Sequence, residues 1–96
     1  MSDARKWYEF DPEVESINEH HDRMLEQCPL LDGAEMEVLL QLRQIRWDGD
    51  VASKTGRDSL VRRGLAVRYN GYQVVTQEGM AVLEVLGRLA EMEKRG

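Results

Sequence analysis

The spacing of apolar side chains changes along this 96-residue chain, and each change marks an element. From residue 12 to 28, Val14, Ile17, His21, Met24, Leu25 and Cys28 fall on one stripe at ~100° per residue, the period of an amphipathic helix. Asp11-Pro12 opens that helix, since Asp accepts from orphan amides and Pro suits the first helical position. Glu13 and Glu15 complement its positive end, and Pro29 stops it at or just before Cys28. A second helix begins at Asp32, whose spacing to Glu35 is that of a capping box. Its apolar face is Met36, Leu39, Leu40 and Leu42 to Ile45, and Trp47-Asp48-Gly49-Asp50 ends it.

Beyond Ser53, another cap candidate, a short helix runs to about Arg63 and closes on Gly64. The pattern then shortens. Leu65–Tyr69 reads as a strand, Asn70-Gly71 as a two-residue hairpin turn whose positions must both tolerate positive φ, and Tyr72–Val75 as the returning strand. Thr76 caps a last helix over about 77–93. Met80, Val82, Leu83, Leu86, Leu89 and Ala90 share its apolar arc, with Val85 and Met92 outside. The fold class is therefore mainly α with a small β-hairpin (α+β).

The segment SKTGRDSLVRRGLAVRYNGYQVVTQEG resembles the back half of a winged-helix domain. Leu60-Val61, Gly64-Leu65 and Thr76-x-x-Gly79 match the pattern of winged-helix families such as the MarR-like bacterial regulators: helix, Leu-Val-x-x-Gly-Leu-Val, hairpin wing, Leu-Thr-x-x-Gly, helix. The likeness covers about residues 34–90. It implies an acidic N-terminal arm and helix over 1–31, then a winged-helix domain over 32–96. Two departures stand out. Between Ile45 and Ser53 there is almost no room for the usual first helix of a helix-turn-helix pair, so WDGDVA forms at most a turn or short strand, and the wing tip has only two residues.

Length and a hydrophobic fraction of 42% suit one small core. No apolar run approaches the ~20 residues of a membrane span, and MSDARKWYEF lacks the apolar stretch of a secretory signal. The single cysteine, Cys28, leaves no internal disulfide, so a reducing, cytoplasmic setting is expected. Trp7, Tyr8 and Phe10 crowd the N-terminal segment, which either folds back on the domain or meets a partner. The net charge of −5 hides an asymmetry: residues 1–37 carry −8, whereas residues 51–72 carry +4 from Lys54, Arg57, Arg62, Arg63 and Arg68 against Asp58. A local cationic patch on an acidic molecule directs an anion to one face.

On the short helix, Leu60, Val61 and Gly64 define the core side, while Thr55, Asp58, Ser59, Arg62 and Arg63 face outward. Arg57 falls on the core side, where an arginine needs a partner; Asp48 and Asp50 in the preceding turn supply one. By the winged-helix likeness, Lys54, Thr55, Ser59, Arg62 and Arg63, with Arg68, Tyr69 and Asn70 of the wing, are the candidates for contact with double-stranded DNA. Val14, Ile17, His21, Met24, Leu25, Leu89 and Met92 are the candidates for a homodimer interface. His21 and Cys28 lie about 10.5 Å apart along a helix, too far for one ion, and His20 and His21 diverge, so no metal site is expected. There is no phosphate loop, nucleophile motif or cysteine pair, so neither catalysis nor a cofactor is expected. Two functions remain: a small DNA-binding regulator of bacterial or phage type, or a winged-helix protein-interaction module. The second would use Glu13, Glu15, Glu19, Asp22 and Glu26 against a basic protein surface.

Overall fold

Ser16, not Asp11, starts the first helix in the computed structural model, which describes residues 6–95; the beginning of the acidic arm, Met1–Arg5, lies outside it. Helix α1 (Ile17–Gln27) has a full capping box: Ser16 Oγ accepts from the Glu19 amide, and Glu19 Oε1 accepts from the Ser16 amide. These two bonds win over the Asp11-Pro12 signal, and residues 11–15 make a turn in which the Val14 and Glu15 amides donate to the Asp11 carbonyl. The apolar stripe shifts with the start. Val14 and Ile17 are exposed, and His20 rather than His21 is buried with Met24.

The aromatic N-terminal segment folds back on the domain. Arg23 holds it: Nη1 donates to the Trp7 carbonyl and Nη2 to the Glu9 carbonyl, both at 2.6 Å, while Nε and Nη2 grip the Glu15 carboxylate. The Trp7 ring packs on the core, and its Nε1 donates to Glu78 at 3.2 Å. His20 lies under Phe10, with ring centroids 4.9 Å apart, and its Nδ1 accepts from Arg23 at 3.2 Å. Burial, with the Arg23 charge and then His21 in support, lowers the His20 pKa, while Glu15 and Glu84 pull it up.

Helix α2 (Gly33–Gln41) has the expected Asp32–Glu35 capping box but stops four residues before Ile45. The reason lies downstream. Arg46 and Trp47 are drawn into a two-residue strand, β1 (Arg46–Trp47), and Arg46 Nε turns back to cap the Gln41 carbonyl at 3.2 Å. Ile45 is left exposed. Helix α3 (Lys54–Arg63) begins on Ser53, whose Oγ accepts from the Gly56 amide. It ends at Gly64 (φ 80°) with Schellman bonds, Leu65 N to Leu60 O and Gly64 N to Val61 O.

Strands β2 (Ala66–Tyr69) and β3 (Tyr72–Val75) form the hairpin, with Asn70 at φ 50° and Gly71 at φ 81°, as the turn demands. The sheet is antiparallel in the order β1-β3-β2, pairing Arg46 with Gln73, Trp47 with Tyr72 and Arg68 with Gln73. The layout is thus α+β and winged-helix-like, with a further N-terminal helix, and only a turn stands between β1 and α3.

Helix α4 (Gln77–Arg95) is preceded by Thr76, whose hydroxyl donates to the Gly64 carbonyl at 2.7 Å and accepts from the Gly79 amide. Its rotation differs from the apolar arc of the sequence: Val85 is buried at 2% exposure, and Met80 is exposed. Gly79 sets this rotation by lying against the Leu65 carbonyl, where no side chain fits. Val82 then joins Val38, Leu39, Leu42, Leu60, Leu65 and Ala66 in the main core, while Val85 and Ala81 pack with Met24 beside it. No helix of the described residues is long and apolar enough to cross a membrane.

Candidate nucleic-acid interface

Helix α3 carries most of the residues expected from the sequence to meet a duplex, and three ties hold it to α2 and to the turn after β1. Gly56 is the closest. A Cβ there would stand 2.6 Å from the Ala34 carbonyl oxygen, so α3 lies backbone to backbone on the start of α2. The second tie is Glu35, whose carboxylate is buried. Its Oε2 accepts from Ser59 Oγ and from Arg63 Nε at 2.7 Å, while Oε1 serves the Asp32 cap. The Ser59 bond is the main cause holding the Glu35 pKa below its usual range, helped by the Asp32 bond and Arg63 against the opposing cost of burial.

The third tie is Asp48, in the turn after β1. Arg57 Nη1 donates to its carbonyl at 2.8 Å and lies 3.7 Å from its carboxylate. The Asp48 Oδ1 accepts from Gln73 Nε2 at 2.6 Å and Arg68 Nε at 3.0 Å. The Gln73 bond comes first in lowering the Asp48 pKa, followed by Arg68 and Arg57, with burial opposing. Of the two turn acids, Asp48 and not Asp50 is a partner of Arg57, whose Nε also meets Asp58 at 3.0 Å; Asp50 pairs with Arg46 instead.

The eight residues proposed for DNA contact consequently separate. Ser59 and Arg63, expected to face outward, turn onto Glu35. Arg68 is shared by Asp48 and Asp58. Thr55 is exposed beside Ser53, 3.1 Å between hydroxyls. Lys54 and Arg62 are exposed, and among the described residues their side chains have no hydrogen-bond or ionic partner. They stand with Asp58 at i, i+4 and i+8, one row along α3. Asn70 is exposed at the wing tip. Tyr69 points away from Arg68, because strand neighbours alternate faces.

No protein-family model, curated protein or solved structure matches this chain. The site's own geometry carries its chemistry.

That geometry includes a surface that the sequence reading missed. Gln73 is fully buried, so Arg68 opposite it shares the helix-facing side, and Trp47, Tyr69 and Tyr72 with Val67 and Val74 share the outer side. Trp47, Tyr69 and Tyr72 are 56%, 68% and 44% exposed there. Trp47 is fixed edge-on to Tyr72, centroids 5.0 Å apart, and its indole covers Gly71, where a Cβ would come within 2.8 Å. Alternation along the hairpin made Val67, Tyr69, Tyr72 and Val74 findable. Trp47 was not, because nothing local told that β1 would pair with β3.

The candidate dimer residues also divide. Met24 is 3% exposed and belongs to the core, so it is not available to a partner. Val14, Ile17, Leu89 and Met92 are exposed, Leu25 is half-buried, and His21 accepts from Arg88 at 2.8 Å. Of the acidic set, Glu15 is committed to Arg23 and Glu19 to the Ser16 cap, whereas Glu13, Asp22 and Glu26 are exposed.

Proposed function

We propose that this protein is a small winged-helix DNA-binding regulator, with the exposed row of α3 directed at duplex DNA and the hairpin tip beside it. The observation that carries this reading is the contact between Arg68 of the wing and Asp58 of α3, 3.6 Å, which joins the wing to that row as one continuous surface. Lys54 and Arg62 supply its free cations, and Thr55 a hydroxyl near the helix start. A second copy, meeting the first through Val14, Ile17, Leu89 and Met92, would present two such surfaces to half-sites.

The test separates free cations from tied ones. Lys54→Ala and Arg62→Ala are expected to weaken binding to a duplex several-fold at low salt, each lowering the slope of log affinity against log salt by about one, with melting unchanged. Electrophoretic mobility shift or fluorescence anisotropy at several salt concentrations measures this. Absence of salt-sensitive binding by the unsubstituted protein would end the reading.

A second reading is favoured by the aromatic outer face of the sheet, together with the tying of Arg57, Arg63 and Arg68 to internal acids. A winged-helix protein-interaction module would use that face, whose three large rings and Val67 make an exposed apolar anchor. Under it, Trp47→Ala and Tyr69→Ser abolish retention of the partner protein from a bacterial lysate, and Lys54→Ala with Arg62→Ala does not. Retention indifferent to Trp47 and Tyr69 would count against it.

A further inference from the structure

We infer that Asp58 holds Arg68 in reserve as a phosphate ligand and so limits the affinity of the α3–wing surface for duplex DNA. The inference rests on the DNA-binding reading and adds a control to that same site.

Asp58 is the middle member of the Lys54–Asp58–Arg62 row and the single acid of α3. A phosphate approaching that row meets a carboxylate between the Lys54 ammonium and the Arg62 guanidinium. The same carboxylate oxygen takes Arg57 Nε at 3.0 Å and Arg68 Nη2 at 3.6 Å. The two arginines are not equivalent. Arg57 is nearly buried, 12% exposed at the side chain, and keeps the Asp48 carbonyl as a second partner. Arg68 is 52% exposed and spans two carboxylates that already have other partners, Gln73 for Asp48 and Arg57 for Asp58. It is the member of the network that can leave without stranding a buried charge. Exposed ion pairs of this kind are weak, whereas a guanidinium on a phosphate makes paired charge-assisted bonds. Held by Asp58 as well as by Asp48, Arg68 stays off the phosphate backbone in the unsubstituted protein, and that restraint limits how tightly the surface binds.

Removal of the Asp58 charge then frees Arg68 Nη2, with Nε still on Asp48, and leaves the row wholly cationic. For Asp58→Asn, duplex affinity at low salt is expected to rise about tenfold and the salt slope to steepen by about one, one more phosphate being neutralised. In the unsubstituted protein Arg68→Ala should change affinity little. In Asp58→Asn it should cancel most of the gain. Asp58→Ser serves as a second variant, and thermal melting confirms that each protein is folded. A gain that survives Arg68→Ala would overturn the proposal, since it would then reflect net charge alone. If Arg62→Ala weakens binding but Asp58→Asn does not strengthen it, the proposal falls and the DNA-binding reading stands. If no variant binds a duplex in a salt-sensitive way, both fall.

Discussion

Gly79→Ala is expected to destabilise the fold by about 3 kcal/mol, within the upper range of overpacking changes. For a domain of this size that corresponds to a fall in Tm of roughly 12–24 °C, readable by circular dichroism. In a solvent-exposed helix the same change would stabilise, because alanine is the better helix former. Here the added methyl collides with the Leu65 carbonyl oxygen and lies 2.6 Å from Val75 Cγ2. The carbonyl cannot yield, since it accepts from the Thr76 amide at 3.0 Å. Relief would require α4 to move off β2 and β3, opening the core around Val82 and Leu65. A variant as stable as the parent would show that α4 does not pack this closely.

Glu35→Ala should cost a comparable amount, roughly 3 kcal/mol, through loss of a buried charged partner. The substitution removes half of the α2 capping box and leaves Ser59 and Arg63 facing an apolar gap. Arg63, 41% exposed, can turn to water, which keeps the cost below that of a fully stranded charge. Glu35→Gln retains the cap geometry and separates the charge from the hydrogen bonds. The lowered pKa of Glu35 adds a pH signature. Its contribution to stability is complete above its unfolded value, near 4.5, and is lost as pH falls through the lower folded value. Asp48 behaves alike from about 3.8 downward. Denaturant melts of the parent between pH 6 and pH 3 should therefore fall more steeply than those of Glu35→Gln. Equal slopes would remove Glu35 from the account.

Much of this fold is legible locally, and the reason is chemical. Gly64, Asn70-Gly71, Ser53, Asp32 and Thr76 act through their own backbone or a neighbour three residues away, so their roles can be read from spacing. The Ser16-x-x-Glu19 box was equally readable but lay behind the stronger-looking Asp11-Pro12. What could not be read depends on distant contacts. The end of α2 is decided by the pairing of Arg46 with Gln73, and the rotation of α4 by Gly79 against Leu65. The candidate site suffered most. A helical wheel places Ser59 and Arg63 outward, yet a carboxylate on the neighbouring helix turns both side chains onto itself. Arg57 was legible because its position on the core side demanded an acid and the preceding turn offered one.

The way α3 is anchored has a consequence for how this chain can diversify. Gly56, Arg57, Ser59, Leu60 and Arg63 carry the support of the helix, Thr55 touches only the Ser53 cap, and Lys54 and Arg62 carry none. Structural constraint and surface chemistry therefore occupy different letters of the same ten-residue word. The two unconstrained positions, Lys54 and Arg62, can be randomised together as a library, with melting temperature held nearly constant, so that selection acts on recognition alone.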